Sequence, residues 1–333
     1  MKALFIGGTG NISSACVRLA IRRGMEVFIL NRGQRKVEIQ GAKSLVADIN
    51  KPAEIAQALG GIQFDVVANF IAFKPEDIER DAALFQGRTK QYFFISSASA
   101  YQKPVVHPVI TEETPLENPF WDYSRDKIAA EQKLMTLCKS QGFPGIVVRP
   151  SLTYDTVIPV AIGGWNDFTF IDRVRKGKPF VIHGDGTALW TITHAEDFAL
   201  GFVGLFGNGN AVGEAFHITS DELLNWNQIY ECVCEAAGAE GRGVHVPSDF
   251  IATVDSWQRG NLHGDKAWSV IFDNSKIKRF VPDFKATIGF REGIKRTVQW
   301  FEADPARQTI VPWNNEVIEK ILAAYGHAEK QGS

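Results

Sequence analysis

Basic runs, long apolar stretches and metal-type cysteine spacings are all lacking from this sequence. The four cysteines show no zinc-ligand spacing, which favours reduced thiols, no metal site and a cytoplasmic location. No apolar run reaches about 18 residues, and the N-terminus has no basic region ahead of a long apolar stretch, so we expect neither a transmembrane helix nor a signal peptide. The net charge of −2 argues against nucleic acid and anionic membranes as main partners.

Short apolar runs alternate with amphipathic stretches up to residue 150. Continuous apolar runs separated by helical patterns are typical of a parallel sheet covered on both faces. The sequence therefore predicts a Rossmann-type, doubly wound α/β fold. The predicted strands are Ala3–Ile6, Val27–Leu30, Ser44–Ala47, Val66–Ala68, Tyr92–Ile95 and Ile146–Val148.

The pattern changes after the sixth run, where glycine, proline and aromatic residues become frequent. We assign residues 1–155 to a dinucleotide-binding domain, to which segments near 191–220 return. Residues 156–190 and 221–325 are assigned to a smaller α/β substrate-binding domain. A long irregular region is expected after Val246.

Gly7-Gly-Thr-Gly10 joins the first predicted strand to the first predicted helix. Glycines at this junction allow a tight turn and let the backbone approach a pyrophosphate at the helix N-terminus. We expect Gly7, Gly10, Asn11 and Ile12 to contact a cofactor. The alternative is a plain strand–helix turn, since Ser13 replaces the third glycine of the fingerprint.

The end of the second strand bears on the choice of cofactor. An acidic residue there would bind the adenosine ribose of NAD, but this chain has Asn31 followed by Arg32, Arg35 and Lys36. Such cations suit the 2′-phosphate of NADP, so NADP is favoured over NAD. A solvated basic loop is the alternative. The other predicted cofactor contacts follow later strands and are Asp48, Ile49 and Phe70; for Asp48, at the end of the third strand, a helix cap or turn former is the alternative to an adenine contact.

Ser97, Tyr123 and Lys127 form the predicted catalytic set. Ser97 follows the fifth strand, at the carboxyl edge where open parallel sheets bind their ligands. Tyr123 and Lys127 are four residues apart and share a helix face. A neighbouring ammonium favours the phenolate, so we expect a lowered Tyr123 pKa suited to acid–base catalysis.

With these motifs, nearly the whole chain resembles the extended short-chain dehydrogenase/reductase superfamily, in its NAD-dependent epimerase/dehydratase-like group. Asn69-Phe-Ile-Ala-Phe-Lys-Pro75 resembles an atypical branch of that group. The further stretches that carry the resemblance are Arg149-Pro-Ser-Leu-Thr-Tyr154, Gly184-Asp-Gly186, Thr193-His-Ala-Glu-Asp197, Gly213-Glu-Ala-Phe-His-Ile218 and Asp273-Asn-Ser-Lys-Ile-Lys-Arg279.

The resemblance implies a role for each member of the catalytic set. Tyr123 becomes the acid/base, Lys127 lowers its pKa and binds the nicotinamide ribose, and Ser97 holds the substrate oxygen. The resemblance also implies a homodimer, formed through helices that include the one carrying Tyr123.

Two departures from the family pattern narrow the range of substrates that we expect. Trp190 stands where relatives that use nucleotide-sugars place a phosphate-binding arginine, which makes a diphosphate-linked substrate less favoured. Trp190 is either a stacking surface for a sugar or other ring or a core residue. Trp165, in the stretch of loops expected around a pocket, is also a predicted substrate residue. Ala98 and Ser99 replace the acidic pair of the sugar dehydratases, which disfavours elimination and leaves Ser99 as a substrate contact.

Three functional hypotheses remain open from the sequence. The leading one is an NAD(P)-dependent oxidoreductase that transfers hydride at a secondary alcohol or ketone of a sugar, polyol or related small molecule. The second is a sugar epimerase that retains NAD. The third is a non-catalytic protein that senses NAD(P).

Overall fold

The computed structural model describes residues 1–33 and 37–326. The strands of this part of the chain are β1 Lys2–Ile6, β2 Glu26–Asn31, β3 Ala42–Val46, β4 Phe64–Asn69, β5 Thr89–Ile95, β6 Val109–Ile110, β7 Gly145–Arg149, β8 Leu152–Tyr154, β9 Phe180–His183, β10 Leu189–Trp190, β11 Ile192–His194, β12 Ala215–His217, β13 Leu224–Asn225, β14 Gly243–Val246 and β15 Ile271–Phe272. The α-helices are α1 Ser13–Arg22, α2 Pro52–Leu59, α3 Pro75–Phe85, α4 Asp122–Gln141, α5 Thr169–Arg175, α6 Ala195–Gly204, α7 Trp226–Ala237, α8 Ser248–Val254, α9 Trp257–Asn261, α10 Ser275–Phe280, α11 Phe290–Glu302 and α12 Pro312–Ala324.

Seven parallel strands form the central sheet, in the order β12-β7-β5-β4-β1-β2-β3. All six predicted strands belong to it, which confirms the Rossmann-type prediction. The seventh strand, β12, comes from much later in the chain and pairs with β7 at one edge. The order changes direction along the sheet at β1 and β4, where such sheets open a crevice for ligands.

The two faces of the sheet carry separate hydrophobic cores. Alternate residues of a strand point to opposite faces, so Phe5 belongs to the core under α1 and α6 whereas Ile6 belongs to the core under α2, α3 and α4. Both side chains are fully buried. Burial on both faces explains why these strands read as continuous apolar runs in the sequence.

Helix α4 carries two members of the predicted catalytic set. It begins at Asp122, whose carboxylate lies near the helix N-terminus, and ends before Gly142, whose φ of 66° gives the left-handed C-terminal turn. Its buried face includes Lys127, Ala130 and Leu134. The helix therefore lies on the sheet with its first turn at the carboxyl edge of β5.

A third hydrophobic core lies outside the sheet and joins α5, α7, α11 and α12 to the short strands β9 and β14. The expected irregular region after Val246 is instead largely helical, comprising α8, α9, a π-helical turn at Leu262–Lys266 and α10. These helices have only five to seven residues each, too few to show a helical period in the sequence.

Across residues 1–33 and 37–326, no helix combines the length and apolar character needed to cross a membrane.

Candidate active site

The carboxyl end of β5 and the first turn of α4 bring Ser97 and Tyr123 to the same cavity. Ser97 Oγ lies 2.9 Å from Ser99 Oγ and also accepts the Ser99 backbone N–H at 3.2 Å. Ser124 donates its hydroxyl to Ser99 Oγ at 2.8 Å, which connects the strand-end turn to α4. The two hydroxyls of Ser97 and Tyr123 therefore project from adjacent, mutually bonded segments.

Lys127 lies beneath this site and is 2 % exposed. Its ammonium donates to the carbonyls of Ala72 and Ile95, both at 2.7 Å. It also lies 4.3 Å from the ring centroid of Phe73 and 5.8 Å from that of Tyr123. Burial disfavours the charged form and lowers the Lys127 pKa to about 7, against an ordinary 10.5.

The pKa of Tyr123 is shifted in the direction opposite to the sequence expectation. Burial raises it above the ordinary value, and the negative charge of Asp265 raises it further. The Ser97 hydroxyl opposes this rise. The expected lowering by Lys127 is not found: two backbone carbonyls hold the lysine ammonium, and burial lowers its own pKa to about 7.

A buried ion pair fixes the position of α4 on the sheet. Arg149, at the end of β7, donates through Nε at 3.0 Å and Nη2 at 2.6 Å to the Glu131 carboxylate of α4. Ser96, next to the predicted catalytic serine, donates its hydroxyl to the same carboxylate. The Arg149 and Glu131 side chains are 6 % and 3 % exposed. This pair therefore joins β5, β7 and α4 directly behind Ser97.

A second cavity, of about 450 Å³, adjoins the glycine loop and the ends of β1, β2 and β4. The predicted cofactor residues that line it are Gly7, Gly10, Asn31, Arg32, Asp48 and Ile49. Gly7 has a φ of +78°, and a Cβ built there would lie 2.6 Å from Ile71 Cγ2. Glycine is therefore required both by the backbone conformation and by the close approach of Ile71.

Other predicted cofactor residues lie away from this cavity. Asn11 donates its side-chain amide to the Thr153 carbonyl at 2.8 Å and thus ties the glycine loop to β8. Ile12 packs on the core beneath α1. Phe70 stacks on Phe5, with 6.2 Å between ring centroids, and faces that same core. Arg35 lies outside the described residues.

The first cavity, of about 750 Å³, is lined by all three predicted substrate residues, Ser99, Trp165 and Trp190. Trp190 is only 2 % exposed and packs against Trp226 at 5.5 Å between ring centroids. Its indole N–H has no acceptor among the described residues. Trp190 thus belongs both to the core and to the cavity lining. The two alternatives from the sequence, a core residue and a stacking surface, are therefore not exclusive.

Sequence reasoning missed residues in both cavities. Phe73 lines the second cavity, lies over Lys127 and contacts Tyr123, a residue of the first cavity, at 6.2 Å between ring centroids. The only signal for it was the Asn69–Pro75 stretch. The missed residues of the first cavity are Trp121, Asp255, Trp257, Asp265, Lys266 and Trp313. For those between residues 255 and 268, the available signal was the concentration of tryptophan and aspartate in that stretch, whereas Trp121 and Trp313 had no such signal.

The model of the NAD dependent epimerase/dehydratase family matches residues 3–218. The chain therefore belongs to this family, which confirms the resemblance drawn from its motifs. The match extends across the central sheet, including β12, and contains Ser97, Tyr123 and Lys127.

Individual proteins that the chain is similar to carry names that describe different functions. The chain is 23% identical to a 2'-dehydrokanamycin reductase of Streptomyces kanamyceticus, over 86% of this chain and 80% of that protein. It is 24% identical to the chloroplast stem-loop binding protein of 41 kDa b of Arabidopsis thaliana, over 75% and 67%. The solved UDP-glucose 4-epimerase of Thermus thermophilus, in complex with NAD, has a TM-score of 0.71 at 20% identity, covering 91% of this chain and 99% of that one. This last likeness establishes the shared fold.

Proposed function

We propose that this protein is an NAD(P)-dependent oxidoreductase acting at a secondary alcohol or ketone of a sugar, polyol or related small molecule. One observation carries the proposal. Ser97 and Tyr123 line a cavity of about 750 Å³, and the Tyr123 ring contacts Phe73, which lines the cavity at the glycine loop. Membership of a family of NAD-dependent enzymes supports it.

Each residue has a defined task in this proposal. Ser97 donates a hydrogen bond to the substrate oxygen, and Tyr123 moves the hydroxyl proton on the same oxygen. Lys127 supplies hydrogen bonds at the floor of the site, where the nicotinamide ribose would lie, and a positive charge when it is protonated. The bound nicotinamide supplies or accepts the hydride. The cofactor domain comprises 1–155 with 191–220, and the substrate domain the remaining residues to 325.

The proposed cofactor preference is NADP. Asn31 at the end of β2 accepts the Gly33 backbone N–H at 2.8 Å, so its side chain stabilises the turn. The neighbouring exposed cation is Arg32, which lines the same cavity. A guanidinium at this place suits the adenosine 2′-phosphate. Asp48, which follows the neighbouring strand β3 and lines the same cavity, is the proposed adenine contact.

The direct test is Tyr123→Phe, which removes the proton carrier and keeps the ring. We expect turnover of any identified alcohol with NADP to fall about 10²–10⁴-fold, while cofactor binding is retained. Tyr154→Phe is the matched control, because Tyr154 is buried outside both cavities and its hydroxyl has no hydrogen-bond partner among the described residues. Undiminished turnover by Tyr123→Phe would refute the proposal.

A sugar epimerase with retained NAD is the second candidate, favoured by the epimerase/dehydratase family assignment. The two candidates separate on the purified protein. An epimerase carries tightly held NAD and changes a sugar carbon with no net change in nicotinamide absorbance, whereas the oxidoreductase consumes added cofactor. A non-catalytic sensor is disfavoured because Tyr123 and Lys127 are both present beside the cavity.

We further propose a homodimer that uses the solvent-facing side of α4 and its neighbour α3, which pack against each other. Light scattering of the purified chain measures its mass directly. A monomer at working concentration would remove this part of the proposal and leave the catalytic part intact.

A further inference from the structure

The first cavity, which is the proposed substrate cavity, is unusually rich in tryptophan. Five of the eight tryptophans in the chain line it. Two of them, Trp257 at the start of α9 and Trp313 at the start of α12, are 62% and 65% exposed. Large exposed aromatic surfaces on a soluble protein commonly mark a binding site. An indole face attracts cations and the apolar face of a ring, so these side chains indicate a cyclic ligand.

The charges of the cavity are those of two carboxylates and one ammonium. Asp255, Asp265 and Lys266 are the charged side chains among the described residues that line it. Lys266 Nζ lies 3.2 Å from Asp265 Oδ2, so its charge is already matched. Asp255 accepts the Trp257 backbone N–H at 3.1 Å but has no ion pair within the described ranges. The described lining is therefore net negative and contains no arginine to bind a phosphate.

Asp265 also lies close to the proposed site of chemistry. It belongs to the π-helical turn Leu262–Lys266, a distortion that often occurs at functional sites. The Gly264 carbonyl of this turn accepts the Asn118 side-chain amide at 2.7 Å, which fixes its position. The charge of Asp265 acts on the Tyr123 phenol. Lys266 already offsets part of that charge, and a ligand cation in the cavity would offset it further and favour the phenolate.

We propose that this cavity takes an amino sugar or aminocyclitol, a polyhydroxylated ring that carries at least one protonated amine. Asp255, the carboxylate without an ion pair within the described ranges, is the proposed partner of its ammonium group. Trp257 and Trp313 cover the ring at the mouth of the cavity. The inference rests on the proposed function, because the hydroxyl or ketone of this ring is the group that would meet Tyr123.

Matched probes test the charge requirement by calorimetry on the full chain in the presence of saturating NADP, and again with NAD. The amine-bearing probes are glucosamine and 2-deoxystreptamine, and their neutral counterparts are glucose and myo-inositol. UDP-glucose represents the diphosphate class. We expect the amine-bearing probes to bind at least about tenfold more tightly than the neutral ones, since hydrogen bonds to charged groups are the stronger kind. Added salt should reduce the difference.

Asp255→Asn tests the assigned carboxylate and keeps an oxygen to accept the Trp257 N–H. We expect it to abolish most of the preference for the amine-bearing probe. Asp283→Asn, at an exposed aspartate outside the cavity, is its control. Trp257→Ala should weaken both members of each probe pair, whereas Trp300→Ala, at a tryptophan outside the cavity, should leave binding unchanged.

Equal binding of amine-bearing and neutral probes, tighter binding of UDP-glucose, or binding of none of the five would overturn this inference. Its failure is distinguishable from failure of the proposed function. Tyr123-dependent turnover of a neutral polyol would contradict the requirement for an amine and leave the proposed oxidoreductase function standing. If the preference for amine-bearing probes is preserved but no hydride transfer to or from any ring is found, the oxidoreductase function is contradicted. The assignment of the carboxylate as the partner of the amine then still stands.

Discussion

Lys127 and Tyr123 occupy one face of α4, yet the lysine ammonium is held by backbone carbonyls and lies 5.8 Å from the centre of the phenol ring. Burial raises the pKa of Tyr123 and lowers that of Lys127 to about 7. These two shifts bias the pair toward two neutral groups. An ordered ribose and substrate would have to change this balance before Tyr123 works as a base.

The buried lysine gives a first prediction, on stability and pH. Between about pH 7 and the ordinary lysine value of 10.5, the unfolded chain holds a proton that folded Lys127 has released. The contribution of this position to the free energy of unfolding therefore rises with pH across that window, by up to about 1.4 kcal/mol per pH unit. Urea unfolding of the wild type and Lys127→Met at several pH values measures it.

The difference between wild type and Lys127→Met should thus grow with pH in favour of the wild type. Lys139→Met, which removes an exposed lysine of the same helix, controls for the loss of one charge. A difference that stays constant across the window would show that Lys127 is charged in the folded protein.

A second prediction concerns the ion pair behind Ser97. Glu131→Ala leaves the Arg149 guanidinium buried without its carboxylate and Ser96 without its acceptor, which should cost about 3–5 kcal/mol of unfolding free energy. The double variant Glu131→Leu with Arg149→Met removes both charges and should recover most of that loss. Denaturant midpoints compare the three proteins. Equal losses in the single and double variants would contradict this account.

The sequence predicted the central sheet well because its information is local. Each strand is buried on both faces, so an unbroken apolar run such as Val66–Ala68 marks it without knowledge of its neighbours. The glycine loop and the Ser97 position follow from the same logic, since each lies directly after a predicted strand. These features depend on adjacent residues in the chain.

The first cavity was predicted only in part because distant segments build it. Trp121 and Trp313 line the same space although 192 positions separate their numbers, 121 and 313, in the sequence. The spacing of residues in the sequence also gives no information on how deeply a side chain is buried. The interval of four residues placed Tyr123 and Lys127 on one face, but it gave no sign that the lysine would meet two carbonyls and lose part of its charge.

A third prediction tests the cofactor preference. Arg32→Ala removes the exposed guanidinium beside the second cavity and should raise the dissociation constant for NADP by about 10- to 150-fold, since a charge-assisted contact is worth about 1.5–3 kcal/mol. Affinity for NAD, which has no 2′-phosphate, should change little. Arg23→Ala, at an exposed arginine just after α1, is the control. Equal loss for both cofactors would point to a general effect on the loop.

A fourth prediction separates the two reasons for a glycine at position 7. Gly7 and Gly24 have similar backbone conformations, with φ of +78° and +74°, but only at Gly7 would a Cβ meet another atom. Alanine at either position should cost about 1–2 kcal/mol because a side chain is strained in this conformation. Gly7→Ala should cost more, since its Cβ would lie 2.6 Å from Ile71 Cγ2 and Ile71 must move.

The two alanine variants should then differ in cofactor binding. Ile71 lines the second cavity, so its displacement in Gly7→Ala should weaken cofactor affinity beyond the loss of stability, whereas Gly24→Ala should bind the cofactor as the wild type does. Fluorescence titration with NADPH at a temperature where both variants are folded measures this. Equal affinities in the two variants would mean that the loop tolerates a methyl group at Gly7, and that the cradle for the pyrophosphate lies elsewhere.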